Sequence, residues 1–534
     1  MRLPTPHRPA AGPVPGPRRP WTLVLVCVTT FMLLLDVTVV SVALPDIQGD
    51  LNADLSQLQW VLDAYLLTLA TVLLSAATAG DRFGRRRLFQ FGVLLFTAGS
   101  LACAWSGSPS ALEISRGVQG AGGAVLFGVG LPLLRQQYSG DALARAVGAF
   151  GASIGLATAV GPLIGGALTD AYGWRSIFLV NVPIGVLALL AGAVRLPRDP
   201  VRVGERKGID WAGTLVFTGA LFCLVIALIR GNPDGWTSTF VASLFAASAV
   251  LLTAFVAVER RVADPMIDLT LFARPRFAVT GLAAFVSNGA LIGMITYLAL
   301  YVQNVLGYSP FDAGVRFLPL SVTAFLTGIA AGTALLRRLP LRVQATACLA
   351  AVGGGVALMT LLTPASDWTA LVPGSLLAGV GLGLGSVALS RAALAAVDAT
   401  RAGLAAGVVN TLRQVGAATG VAALGALYQH EVRADALHRL SGSAVERAGK
   451  APALADALAS GAGLRVMPAV PAPARALVAQ VAREATVHGL TRMLTWTAVV
   501  ATGAAVLTAL LYRGDDAADG VPTGDVDEVA VAAL

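Results

Sequence analysis

The sequence predicts an all-α polytopic membrane protein with fourteen transmembrane helices. Three observations predict it. Of 534 residues, 56% are hydrophobic and only 13% charged, and the mean hydropathy is +0.74, which leaves no large soluble domain. Apolar segments of about 20 residues, the length that crosses a bilayer core, recur along the whole chain. Arginine-rich turns fall on alternate connections between those segments.

The elements follow in order. Residues 1–20 hold seven prolines and four arginines and read as a disordered cytoplasmic arm. The apolar run that begins at Trp21 is longer than a signal-peptide core, so it reads as an uncleaved first helix. Spans are expected at 21–44, 57–80, 88–107, 110–134, 143–169 and 175–195, which make a first six-helix bundle over 21–196. Spans at 211–230 and 238–258 lie in a linker, 197–260, and form an inserted pair. Spans at 277–302, 315–336, 343–363, 370–390, 402–428 and 488–512 make a second six-helix bundle over 261–512. The glycine-rich stretches near Gly122 and Gly381 suit membrane helices, where glycine permits close packing. Residues 429–487 form a long external loop, Ala-rich and weakly periodic, consistent with short helices over the outer mouth, and 513–534 form an acidic disordered tail.

The basic turns at Arg82 to Arg87, Arg195 to Lys207, Arg260 to Arg276 and Arg337 to Arg342 set the orientation, while 45–59 carries Asp46, Asp50 and Asp54 with no Lys or Arg. An even number of spans then puts both termini in the cytoplasm. The net charge of +8 is explained by this asymmetry and argues for no nucleic-acid partner. Gly148, Gly161 and Gly166 recur at a constant offset as Gly407, Gly420 and Gly425, a faint internal repeat that supports two related halves.

Several chemistries are excluded. Cys27, Cys103, Cys223 and Cys348 sit in separate apolar stretches without metal-type spacing, and His7, His430, His438 and His488 form no metal pair. No metal, cofactor or catalytic residue is expected, and a membrane-embedded enzyme is the remote alternative. The only lysines, Lys207 and Lys450, lack a phosphate-binding loop, so ATP does not drive this protein. A gradient can: the membrane potential supplies about 2.3 kcal/mol per charge per 100 mV, roughly a 50-fold solute gradient.

Asp36 is the costliest residue in the chain. A carboxylate at mid-helix depth in lipid costs about 2.5–3.5 kcal/mol on insertion scales and calls for a proton, an ion or a cationic substrate. Asp63 follows in the second span, where it is either a second cavity acid or a solvated helix end near the outer interface. Arg116 in the fourth span cannot lose its proton and must be paired or wet; Glu113, three residues earlier, offers either a coupling partner or a local ion pair. In the turn from Asp81 through Arg82, Gly84, Arg85 and Arg86, the glycine permits a tight reversal and the arginines hold it to the cytoplasmic face. Gly155, Gly161, Pro162, Gly165 and Gly166 combine a close-packing face with a proline that removes a helical hydrogen bond, as a rocking interface requires. Asn410, Arg413 and Gln414 are polar groups inside the thirteenth span and should face a cavity or a partner helix.

These stretches resemble the major facilitator superfamily, specifically its fourteen-helix drug:proton antiporters. Residues 77–87 are similar to the family's signature loop between helices two and three, with Ala77 and Ala79 departing from its pattern. Leu112 to Gly123 resembles the fourth-helix motif whose arginine is assigned to proton coupling. Gly155 to Gly166, followed by Trp174, Arg175, Phe178, Asn181 and Pro183, resembles the fifth-helix motif associated with export. The resemblance implies two six-helix bundles with an inserted pair, and proton-coupled efflux of hydrophobic drugs or antibiotics by alternating access across the cytoplasmic membrane. It implies roles in proton or substrate coupling for Asp36, Arg116, Asp63 and Glu113, in an inner gate for Asp81 to Arg86, and in a bend for the glycines around Pro162. The expected partners are a small hydrophobic or cationic drug-like substrate, protons and membrane lipid, with the chain acting as a monomer. An exporter dedicated to a single endogenous metabolite is the alternative.

Overall fold

The structure is a computed structural model that describes residues 19–197, 210–262, 265, 267–331, 339–395, 402–461 and 470–512. The arm and tail expected to be disordered lie outside these residues, apart from the first helical turn at Arg19 and Pro20.

The first group of helices is α1 (Arg19–Leu51), α2 (Leu55–Phe83), α3 (Arg85–Ala104), α4 (Pro109–Gln137), α5 (Gly140–Tyr172), α6 (Ser176–Leu179) and α7 (Asn181–Arg195). A pair follows, α8 (Trp211–Asp234) and α9 (Thr239–Glu259). The last group is α10 (Pro275–Asn304), α11 (Pro310–Arg316), α12 (Leu318–Ala331), α13 (Leu341–Met359), α14 (Val372–Ala395), α15 (Ala402–Leu440), α16 (Ala444–Arg447), α17 (Ala451–Ala459) and α18 (Arg475–Leu511). Among the described residues ten helices are long and apolar enough to cross a membrane, and up to twelve spans result if each of two bent pairs counts as one. With α2 and α15, which pack in the same assembly, the arrangement is consistent with the expected fourteen.

Local chemistry sets the helix starts. Asp54 and Gln57 form a reciprocal capping box at the head of α2, and Ser108, Asp210 and Ser238 accept from the first free N–H groups of α4, α8 and α9. Gly84, at φ 101°, takes the left-handed turn that joins α2 to α3.

Two expected spans are bent: the one at 143–169 by 45° within α5, and the one at 315–336, which divides into α11 and α12, by 42° beside Phe317. Pro319 accounts for the second bend, because it has no N–H to continue the ladder of α11. The span at 175–195 runs as one segment, with only a helical turn residue, Val180, between α6 and α7. The long external loop is shorter than its sequence suggests: α15 runs on to Leu440 and α18 begins at Arg475. An ion pair from Arg439 of α15 to Glu484 of α18 ties these extensions together, with Asp435 of α15 also pairing with Arg439. The short α16 and α17 lie between them, as the weak periodicity suggested.

Within the first group α1 packs on α5, α2 on α4, and α3 on α4 and α7; within the last, α10 packs on α15, α12 on α14, and α13 on α14 and α18. The two groups meet along α2 with α15, α5 with α11 and α12, and α1 with α10, and α8 packs against both α2 and α15.

This seam is sealed at the end away from the arginine turn. Gln303 Nε2 donates to the Val42 carbonyl at 2.7 Å, Gln59 Nε2 to the Tyr297 hydroxyl at 2.8 Å, and Tyr297 to the Val421 carbonyl at 3.0 Å. Gln48 and Asn304 reach the Ser460 and Gly461 carbonyls at 2.7 and 2.6 Å, so the turn after α17 ties α1 to α10. Toward the arginine turn the same seam gapes: a Cβ at Gly148, Gly151 or Gly155 of α5 would meet nothing within 4 Å.

Candidate functional site

A single polar cluster occupies the centre of the first helix group. Asp36, from the middle of α1, is buried to 1% side-chain exposure, as is Arg116 of α4. Arg116 Nη1 donates to Asp36 Oδ2 and, at 2.6 Å, to Gln119 Oε1, while its Nε donates to the Val61 carbonyl of α2 at 3.0 Å. The other carboxylate oxygen, Asp36 Oδ1, accepts from Gln119 Nε2 at 2.8 Å and from Asn181 Nδ2 of α7 at 3.0 Å. Ser100 of α3 accepts from both amides, at 2.6 and 3.2 Å. The guanidinium carbon lies 4.1 Å from the Tyr65 ring centre, an aromatic face that favours a cation.

The arrangement suits a proton relay. Charge-assisted hydrogen bonds satisfy both ions, so each is tolerated in a dry interior. Removing either charge from such a pair costs about 3–5 kcal/mol, because the other is stranded. Protonating Asp36 removes one of them, so the packing of α1, α3, α4 and α7 around the cluster is sensitive to a single proton.

Of the residues singled out in the sequence, Asp36 and Arg116 come together. Glu113 does not join them. It is half-buried toward the head of α4 and makes no hydrogen bond or ion pair among the described residues, since Arg116 turns to Asp36 instead. Asp63 is fully buried, and among the described residues both its carboxylate oxygens lack a hydrogen-bond partner. It is thus not a solvated helix end. It lies one turn along α2 from Gln59, whose contact with Tyr297 closes the seam.

At the arginine turn, Arg85 Nη1 donates to the Pro132 carbonyl of α4 at 2.9 Å and Arg86 to the Ala193 carbonyl of α7. These are carbonyls near helix C-termini, where a cation is favoured. Arg82 lies 5.6 Å from the Phe83 ring centre. The side chain of Asp81 lies outside the described residues.

The glycines of α5 divide into two sets. A Cβ at Gly165 would stand 2.9 Å from Val39 Cα, Gly161 packs against the Thr38 side chain, and Gly166 receives the Pro310 carbonyl from across the seam. Pro162 and Leu163 receive Gly314 in turn. Gly155 faces open space, and α5 bends by 45° between the two sets. Asn410, Arg413 and Gln414 are half-buried on α15; Arg413 Nη2 donates to the Gly385 carbonyl at 2.9 Å, and Asn410 and Gln414 make no side-chain hydrogen bond among the described residues.

Gln119, inside the stretch from Leu112 to Gly123, and Asn181 gain a place in the site only from the structure. The spacing of Gln119, one turn beyond Arg116, carried a signal for it, as did a lone amide at the head of an apolar helix for Asn181. Ser100 carried none, because a serine in a membrane helix usually bonds its own backbone. No cluster of three or more His, Cys, Asp or Glu able to hold a metal occurs among the described residues.

Residues 26–421 match the family model described as Major Facilitator Superfamily. The chain is 37% identical over 440 residues to a probable actinorhodin transporter of Streptomyces coelicolor, covering 80% of this chain and 75% of the other. It is 39% identical over 428 residues to the puromycin resistance protein pur8 of Streptomyces alboniger, covering 78% and 83%. It is 36% identical over 408 residues to the multidrug resistance protein Stp of Mycobacterium tuberculosis, covering 76% and 75%. Among solved structures, a bacterial homologue of the human lysosomal transporter Spinster, in an inward-facing and occupied conformation, superposes with a TM-score of 0.64 at 17% identity, over 95% of this chain and 100% of that one.

Proposed function

Because the chain belongs to the major facilitator superfamily, we propose that it exports hydrophobic drugs or antibiotics across the cytoplasmic membrane in exchange for protons. It is a multi-pass membrane transporter and not an enzyme. In this reading two six-helix bundles, 21–196 and 261–512, rock about a central site with the 197–260 pair inserted between them, and the monomer is the working unit. The arginine turn faces the cytoplasm by the positive-inside rule. The sealed end then faces outward, and the site is reached from within.

The observation that carries the proposal is the buried Asp36–Arg116 pair with its amide partners. A transporter has a use for an ion pair at mid-membrane that a passive scaffold would replace with leucine. Asp63 supplies a second proton site. A lone carboxylate buried without a donor costs far more than the neutral acid, so sealing the outer seam around Asp63 goes with taking up a proton. Opening that seam wets the carboxyl and allows exchange with the outside. Asp36 is already satisfied by protein donors, so a cationic substrate would meet Asp63 sooner than Asp36. The arginine turn, anchored on α4 and α7, closes the inner side in the opposite state.

Relatives named for one compound, such as the probable actinorhodin transporter, favour the second reading of an exporter dedicated to a single metabolite. A panel of toxic hydrophobic compounds, tested on cells with and without the gene, separates the two. Protection against several unrelated compounds, lost on adding an uncoupler, is the expected outcome. Protection against one compound only supports the dedicated exporter, and protection that survives the uncoupler overturns proton coupling.

A further inference from the structure

Arg413, half-buried on α15, is a second arginine inside the helix bundle, and its surroundings differ from those of Arg116 in one respect. It sits at mid-depth: its partners Gly385 and Ser386 lie near the middle of α14, and Asn288, which donates to the Arg413 carbonyl at 2.9 Å, lies near the middle of α10. Its only side-chain hydrogen bonds run from Nη2 to the Gly385 and Ser386 carbonyls, at 2.9 and 3.5 Å. Nε and Nη1 are without a partner among the described residues. No carboxylate pairs with it there. The sequence offers none at that depth, because none of the expected spans 277–302, 315–336, 343–363, 370–390, 402–428 and 488–512 contains an Asp or Glu.

An arginine cannot shed its proton, so a charge held in a water-poor membrane interior stays there whether or not it is balanced. Arg116 is balanced by Asp36. Among the described residues no charge balances Arg413, and two of its donor groups are unspent there. Beside it on α15, Asn410 and Gln414 lie four residues apart on one face, half-buried and without side-chain hydrogen bonds. Cation and amides together form a set of polar groups that a transported molecule can satisfy.

We infer that Arg413 binds the acidic group of an anionic amphiphile, a carboxylate or ionised phenol on an apolar body, with Asn410 and Gln414 completing its hydrogen bonds. The inference rests on the export reading and narrows its substrate class. Proton handling then falls to the first helix group and substrate charge to the last, so that the membrane potential, negative inside, favours both proton entry and anion exit.

Three pyrene probes with one apolar body test this: 1-pyrenebutanoate, its methyl ester, and the matching butyltrimethylammonium. Their accumulation is measured in everted vesicles carrying the full chain, alongside binding to purified protein. The wild type should favour the butanoate over the ester by about tenfold or more. Arg413→Gln should bring that ratio close to one, and Arg413→Lys should keep part of it. The ratio is the readout because a general loss of folded protein does not move it. Equal handling of butanoate and ester by the wild type, a preference that survives Arg413→Gln, or no binding of butanoate would overturn the anion assignment. Failure of the wild type to move any of the three under a proton gradient would count instead against export.

Discussion

Asp36 accepts from a guanidinium on one oxygen and from two amides on the other, and that asymmetry makes substitutions at the site informative. Asp36→Asn can keep the amide bonds on its carbonyl oxygen, but its NH2 group would then face Arg116 donor to donor. A stranded guanidinium costs about 3–5 kcal/mol, so the variant should melt earlier in detergent and lose proton-driven transport while still reaching the membrane. The double variant Asp36→Asn with Arg116→Gln removes both charges and should regain most of that stability without regaining transport. Full drug resistance in either variant at normal expression would remove the pair from the mechanism. The two charges were legible in the sequence, since each is costly inside an apolar run. Their pairing was not. Glu113 stood nearest to Arg116 along the chain, and only the packing of α1 on α4 brings Asp36, 80 residues away, into contact.

At the level of elements, the proposed rocking places its demands on the fifth span. Its glycines Gly161, Gly165 and Gly166 are filled by α1 and by the carbonyl of Pro310, while Gly155 is empty; the helix is thus sealed on one side of its bend and open on the other. Gly166→Ala puts a methyl group against the Pro310 carbonyl. Overpacking of this kind costs on the order of 1–3 kcal/mol, enough to shift a two-state population by roughly 5- to 150-fold. The seam should part at the outer end and close at the inner, so a single cysteine at Gly151, with the native cysteines replaced by serine, should react more slowly with a thiol reagent applied from the arginine side. An unchanged rate would show that α5 does not set the balance between the two states. Hydropathy alone located this helix and nearly all others, because lipid demands long apolar segments whatever their partners. It could not place the bends within α5 and at Phe317, which depend on local backbone chemistry, or show that α15 and α18 run on past the apolar stretches.

Across the whole molecule, closure depends on contacts between residues hundreds of positions apart. Gln48 of α1 and Asn304 of α10 meet at 3.4 Å, and each also donates to the turn after α17. No periodicity or motif marks such a meeting, so the outer seal was the least legible part of the structure, although it decides which side the site can reach. An alternating-access protein must break these bonds once in each cycle. Cysteines at Gln48 and Asn304, joined by a short bifunctional thiol reagent that spans the two side chains, should therefore arrest export while leaving substrate binding from the arginine side intact. A cleavable reagent should restore export on reduction, which separates arrest from damage. Because α1 packs on α10 where these two positions meet, the cross-link should also form efficiently in the resting protein. Export continuing through a completed cross-link would mean that substrate leaves without parting α1 from α10, and the rocking of two bundles would have to give way to a local gate.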